Sequence, residues 1–188
     1  MERRENMDRR QKKTRDAILT VFSELLEHTS YEKITVQAII DKANVGRTTF
    51  YAHFKTKDDL LRELCEMLFE HIRVYMSEQD GNCGSLDSAD SVFCHLLRHL
   101  QRNDHNLLGL LSCENSDLFL RYFKDQLSEL VRRLLRGNHT RVDVPEDFLV
   151  NHITCSFVEM VRWWVQSKSG LTPEQLGRYF GSVIEPIL

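Results

Sequence analysis

The stretch Thr35–Lys57, TVQAIIDKANVGRTTFYAHFKTK, constrains this chain more than any other. Val36, Ile39, Ile40 and Ala43 recur at three- and four-residue spacing, which places them on one buried face of a short helix. Asn44-Val45-Gly46 then reads as a tight corner. Asn tolerates the left-handed backbone that a helix exit needs, Gly adopts it freely, and Val45 is a lone apolar plug between two helices. The second helix is predicted from about Arg47 to His53, with Phe50 and Phe54 inward. Arg47, Thr48, Thr49, Tyr51 and His53 are left on or near the outer side. A short helix that shows Arg, Thr, Tyr and His outward can enter a DNA major groove. Ordinary helical packing also leaves polar outer faces, so the flanking sequence has to decide.

Upstream, residues 1–12 are charged without apolar periodicity and read as a flexible arm whose Arg3, Arg4, Arg9, Arg10, Lys12 and Lys13 (just beyond it) could lie along phosphates or enter a minor groove, or could equally be a solvated tail. A helix is predicted from about Met7 or Asp8 to Glu27, with Asp8 as cap and Ala17, Ile18, Val21, Phe22, Leu25 and Leu26 as its apolar stripe. Downstream, Thr56 is the expected N-cap of a helix reaching about Met76, with Asp58 and Asp59 in the favoured first turn. The amides of that end, together with Lys57, would make a phosphate clamp. A helix that begins at the DNA and ends in the next domain could act as a lever.

With Ile18, Phe22, Thr35, Ile39, Ala43, Val45, Thr49, Tyr51, Phe54, Lys57 and Leu60 in these positions, the segment from about Thr14 to Leu61 resembles the DNA-binding domain of the TetR family of bacterial regulators. The run Thr49-Phe50-Tyr51-Ala52-His53-Phe54 followed by Lys57 is its most specific part. Asn44 stands where the family usually has Gly, and Gly46 where a Ser commonly caps the recognition helix; both suit the geometry. The resemblance covers the first third of the chain. It implies a DNA-reading head followed by a helical domain that dimerises and binds an effector.

The net charge of −3 argues against a DNA binder until its distribution is considered. Residues 1–57 hold 12 Lys and Arg against 8 Asp and Glu, whereas residues 58–188 hold 13 against 20. Phosphate contact is local, so the sign of the presented face matters more than the total. Five cysteines, Cys65, Cys83, Cys94, Cys113 and Cys155, are odd in number and lack CxxC spacing, which fits a reduced cytoplasmic setting. No apolar run approaches the length of about 18 residues that a membrane span needs. The charged N-terminus is not a secretory signal.

The remainder reads as helix throughout. Residues 77–90 form a loop marked by Gly81 and Gly84. Helices follow from Ser91, around Leu107–Leu111 after a break near Asn103-Asp104, and from about Ser116 to Leu135. Pro145 opens another, and Thr172-Pro173-Glu174-Gln175 is a capping box that opens the last. Gly177 and Gly181 lie mid-helix, where each costs about 0.8–1 kcal/mol against Ala. A close backbone approach would explain them. The dimer bundle that the resemblance implies would place Phe157, Met160, Trp164, Gly177, Phe180, Gly181 and Ile184 at the interface; the alternative is that both helices are simply core of one chain. Tyr75, Phe93, Phe119, Tyr122, Phe123 and Trp163 could line a ligand cavity or simply fill core.

Cys94, His95 and His99 have metal-like spacing, with His71, His105 and Cys113 as further candidates, but helical His pairs are more often metal-free. The expectation is no metal and no cofactor. No phosphate-binding Gly loop, nucleophile elbow or HExxH helix appears, so an enzyme is not expected.

The expected fold is all-α: residues 1–57 an arm and three-helix helix-turn-helix domain, residues 58–188 a helical regulatory and dimerisation domain. The expected function is that of a cytoplasmic, homodimeric TetR-like repressor, released from a palindromic double-stranded DNA operator by an unknown small-molecule effector. Thr35, Gln37, Arg47, Thr48, Thr49, Tyr51, His53 and Lys57 would be its DNA contacts. Recruitment of a protein coactivator by the C-terminal helices, or metal sensing, are the alternatives.

Overall fold

The structure is a computed structural model and describes residues 2–79, 87–102, 107–112, 117–137 and 144–185. Among these residues the secondary structure is helical, with no strand. The order is α1 (Glu2–His28), α2 (Val36–Ala43), α3 (Arg47–His53), α4 (Lys57–Gln79), α5 (Asp87–Arg102), α6 (Leu107–Ser112), α7 (Asp117–Gly137), α8 (Glu146–Ser167) and α9 (Pro173–Ile184). A 3-10 turn at Tyr31–Lys33, which sequence periodicity does not reveal, joins α1 to α2. The expected arm is not a separate segment: α1 begins at Glu2, and Asp8 lies inside it rather than at its start. Long-side-chain Arg, Gln and Lys residues are good helix formers, so a polar run can extend a helix nucleated by its apolar end.

The chain divides into two compact units, and the division falls inside α4, between Leu64 and Cys65. In the first unit α1 packs against α2, and Ile18, Phe22, Ile34, Ile39, Phe50, Phe54, Leu60 and Leu61 are buried. In the second, α5 lies along α9, α7 along α8, and α6 packs on both α7 and α8. Two aromatic groups fill it. Phe123 packs edge-on to Phe69, with Phe119 beside it. Phe93, Phe157 and Phe180 meet with ring centroids 4.9–5.3 Å apart. Each buried Phe contributes about 1.5–3 kcal/mol of burial free energy.

The last helix starts as its sequence predicts. The Thr172 hydroxyl accepts from the Gln175 amide, the Gln175 side chain accepts from the Thr172 amide, and Pro173 occupies the first turn. The break near Asn103-Asp104 and residues 80–86 of the expected 77–90 loop lie outside the described residues, but its two ends are helical: α4 continues to Gln79 and α5 begins at Asp87, earlier than expected.

The close approach at Gly177 is real, but it comes from the same chain. A Cβ there would sit 2.2 Å from Cys94 Sγ and 3.0 Å from Cys94 Cα on α5. Phe157, Trp164, Gly177, Phe180, Gly181 and Ile184, expected at a dimer interface, are all buried within this chain, and Met160 is half-buried. The exposed large apolar residues of α8 and α9 are instead Phe148 (60% exposed), Trp163 (52%), Tyr179 (56%) and Val183 (71%). Gly177→Ala should gain about 1 kcal/mol in helix propensity yet lose about 1–3 kcal/mol to overlap with α5. The expected outcome is a lower thermal midpoint, partly restored by adding Cys94→Ala; a rise in midpoint for the single variant would contradict the packing.

Candidate nucleic-acid interface

Seven residues are too few for a helix to persist alone in water, so α3 depends on what holds it. Thr35 caps α2, its Oγ1 accepting from the Ala38 amide at 3.1 Å. Ile39 and Ile40 pin the inner face of α2. Asn44 ends the helix in the left-handed conformation, φ 51° and ψ 48°, and the Val45 amide donates back to Ile40 O at 3.2 Å. This is the αL helix exit that Asn can adopt at low cost. Gly46 caps α3 in an extended conformation without a side-chain bond. Phe50 and Phe54 bury the inner face, and the Arg15 guanidinium lies 4.9 Å from the Phe54 ring centre while forming a two-point ion pair with Glu63.

With that side anchored, Arg47, Thr48, Thr49 and Tyr51 are exposed, Tyr51 at 46%, and His53 is half-buried. The Arg47 guanidinium stands 6.0 Å from the Tyr51 ring centre. Thr35 and Gln37 are also exposed. Gln37 Nε2 donates to Asp41 at 2.7 Å, leaving its carbonyl as the group that can still accept. Thr35, Gln37, Arg47, Thr48, Thr49, Tyr51 and the edge of His53 thus lie on the outer side of α2 and α3, in a unit whose first helix also exposes Arg10, Lys12 and Lys13.

Lys57 departs from the expected clamp. Its ammonium donates to the carbonyls of Tyr31 at 2.8 Å and Ile34 at 3.1 Å, with Glu32 O at 3.4 Å, and lies 4.2 Å from the Tyr31 ring centre. The Tyr31 hydroxyl donates to Asp58. The amides of Lys55 and Thr56 both donate to the Asp59 carboxylate, whose own amide donates to the Thr56 hydroxyl. The start of α4 is therefore capped by its own side chains, and Lys57 is spent on the 3-10 turn. Burial pushes the Asp59 carboxyl up, but the Thr56 and Lys55 amides, the Arg62 guanidinium and the Thr56 hydroxyl outweigh it and hold the carboxyl below its ordinary range. Lys55, which no motif position singled out, is exposed in the corner before α4 and is better placed to reach a phosphate.

The aromatics expected around a pocket sit at different depths. Phe93, Phe119 and Phe123 are fully buried core, Tyr75 and Tyr122 are half-buried, and Trp163 is on the surface. A cleft of about 740 Å³ lies elsewhere in the second unit, with Arg98, Arg102, Trp164, Lys168, Leu171 and Glu174 among its lining. The metal-like spacing also resolves differently. Cys94 Sγ points to Glu174 O at 3.8 Å, whereas His95 and His99 on α5 meet His71 on α4. Burial, then the neighbouring His99, His71 and Arg98, push His95 down to about 4, and burial lowers His99 as well. His105 and Cys113 lie outside the described residues.

Two outcomes follow from this corner. Lys57→Ala should cost about 1–3 kcal/mol of stability through the lost charged hydrogen bonds, measured by denaturant unfolding, whereas Lys55→Ala should leave stability unchanged and flatten the salt dependence of DNA binding by about one. Because Asp59 is held below its ordinary value of 3.8, its contribution is complete above that pH and is lost as pH falls through the lower folded value. Acid unfolding of Asp59→Ala should accordingly show less loss of stability below pH 3.8 than the wild type; an unchanged acid limb would contradict the cap.

Comparison with known proteins adds an independent line. Residues 18–64 match the family described as bacterial regulatory proteins, tetR family, and residues 87–186 match the TetR-type transcriptional regulator C-terminal region. The chain is 37% identical to a TetR transcriptional regulator from Streptococcus agalactiae 2603V, with a TM-score of 0.73 over 95% of this chain and 97% of that one. A TetR-family transcriptional regulator from Syntrophomonas wolfei shares the fold at a TM-score of 0.78 and 22% identity, over 93% and 94% of the two chains. The uncharacterized HTH-type transcriptional regulator YxbF of Bacillus subtilis (strain 168) is 22% identical over 184 residues, 95% of this chain. This chain spans 46% of that relative's length. Matches over both units, and close likeness to a solved regulator along nearly the whole chain, place the protein in the TetR family of bacterial transcriptional regulators.

Proposed function

We propose that the protein is a cytoplasmic repressor that binds a palindromic operator as a homodimer and is released by a small-molecule effector. The observation that carries the reading is the exposed row Arg47, Thr48, Thr49 and Tyr51 on a helix locked from behind by Phe50 and Phe54. Arg47 would donate two hydrogen bonds to a guanine edge, and Thr48 and Thr49 would meet neighbouring bases. Tyr51, His53, Thr35, Gln37 and Lys55 would hold the phosphate backbone, with Lys57 supporting them from within. That no helix among the described residues is long and apolar enough to cross a membrane agrees with the reading.

Dimerisation would use the outward apolar side chains of α8 and α9, Phe148, Trp163, Tyr179 and Val183, in an isologous contact that matches a two-fold operator. An effector would occupy the cleft near Arg98 and Trp164, whose size falls within the range of about 300–1,000 Å³ common for ligand pockets. Its release of DNA requires tighter binding to a state whose two heads no longer suit successive major grooves. The continuity of α4 from Lys57 to Gln79 supplies the mechanical element for that coupling.

Selection of double-stranded DNA from a random pool by the purified protein tests the reading. The expected product is a two-fold symmetric site bound at least about 10³-fold more tightly than random DNA. Arg47→Ala should lose about 1–3 kcal/mol on that site and relax preference at one base pair per half-site. Equal affinity for selected and random DNA would refute a sequence-reading regulator.

A further inference from the structure

We propose that His71, His95 and His99 form a binding site for one divalent transition-metal ion of the zinc, cobalt, nickel or copper class. The three residues come from two helices of the same unit, His71 from α4 and the one-turn pair His95 and His99 from α5. Side chains four apart on a helix share a face, so the α5 pair presents two imidazoles to whatever α4 offers. α4 offers a third. One ligand nitrogen from each ring lies within 4.8 Å of the other two. A tetrahedral ion with nitrogens at 2.0–2.1 Å sets them about 3.3 Å apart, a closure that modest ring rotations supply. Ring centroids are 4.3 Å apart for His71 and His99, 4.7 Å for His95 and His99, and 5.6 Å for His71 and His95. The Tyr75 ring stacks on His95 at 3.9 Å with planes 6° apart, which limits how the imidazole can turn.

A second observation is the buried Nε2 of His95, which has no hydrogen-bond partner among the described residues. Buried polar atoms are nearly always satisfied, and an exception calls for a reason such as a bound ion. Three imidazoles facing one another also disfavour protonation, and the neutral ring is the form that ligates.

The donor set decides the class of ion. Three neutral nitrogens without a carboxylate suit borderline first-row metals and are poor ligands for calcium or magnesium, which demand oxygen. Three protein ligands also leave a coordination position for water or an exogenous ligand. Arg98 and Arg102 on α5 oppose a cation, but Arg98 is paired with Glu174 at 2.8 Å, which offsets part of that repulsion. Cys94, although adjacent in sequence, is not in the donor set because its thiol points to α9. This site does not depend on the regulator reading, since it concerns one unit and one ion.

The test uses the full chain, stripped with a chelator and titrated with Co²⁺ while visible absorption is followed, then with Zn²⁺ in competition. One equivalent per chain, d–d bands of a low-coordinate site, no thiolate charge-transfer band and no competition from excess Mg²⁺ are expected. His71→Gln and His99→Gln should each weaken binding at least about tenfold, since even outer-shell losses cost that much. Cys94→Ser should leave the spectrum unchanged. Circular dichroism and thermal unfolding establish that the variants are folded, and the exposure of His71 makes His71→Gln the safer of the two. Absence of saturable one-to-one binding, wild-type affinity in the folded His variants, or a thiolate band that Cys94→Ser removes would each overturn the assignment. Operator binding by the metal-free protein is a separate measurement, so either proposal can fail alone.

Discussion

The proposed DNA-reading surface depends on the burial of Phe50 and Phe54. A seven-residue helix cannot offset its nucleation cost with its own hydrogen bonds, so α3 exists because two aromatic rings on its inner side leave water. Their burial also sets the rotation of the helix about its axis, and hence which residues look outward. Arg47, Thr48, Thr49 and Tyr51 face solvent because they alternate with these anchors at helical spacing. Asn44 sets the corner by taking the left-handed conformation at the end of α2. The chemistry of the outer face and the packing of the inner face are therefore one constraint.

Around the start of α4 the same unit uses charge to brace that surface. Lys57 and Asp58 bond the 3-10 turn and its exit to the helix start, and Asp59 caps that start from within. A lysine at the start of the helix that follows a helix-turn-helix reads as a phosphate contact in sequence, because sequence gives its position but not the carbonyls within reach. Those carbonyls belong to a turn about 25 residues earlier whose 3-10 geometry leaves no periodic signature. The exposed ammonium of Lys55 was equally hard to anticipate, because exposure in a corner is a matter of packing.

The second unit shows the limit of periodicity more sharply. α8 and α9 are apolar over much of their circumference, so several faces compete for the interior. Gly177 marks a close approach correctly, yet only coordinates identify α5 of the same chain as the neighbour. Once α5 occupies that side, Phe157, Phe180 and Ile184 become core and Phe148, Tyr179 and Val183 are turned out. Phe93, Phe119 and Phe123, expected around a ligand, are likewise drawn into the core. His71 joins His95 and His99 through the pairing of α4 with α5, a contact between residues more than twenty positions apart.

From its residues alone the chain determines an all-α fold, the helix-corner-helix at Thr35–Lys57, the inward anchors and outward row of α3, and the capping box at Thr172. Each is encoded by neighbours within one or two helical turns, where spacing and capping chemistry suffice. Tertiary structure alone decides that Lys57 serves a turn, that Gly177 receives α5, which side of α8 and α9 remains exposed, and that three histidines meet. These outcomes depend on which helix lies against which, and that is settled by the total burial of apolar surface across the unit rather than by any local stretch.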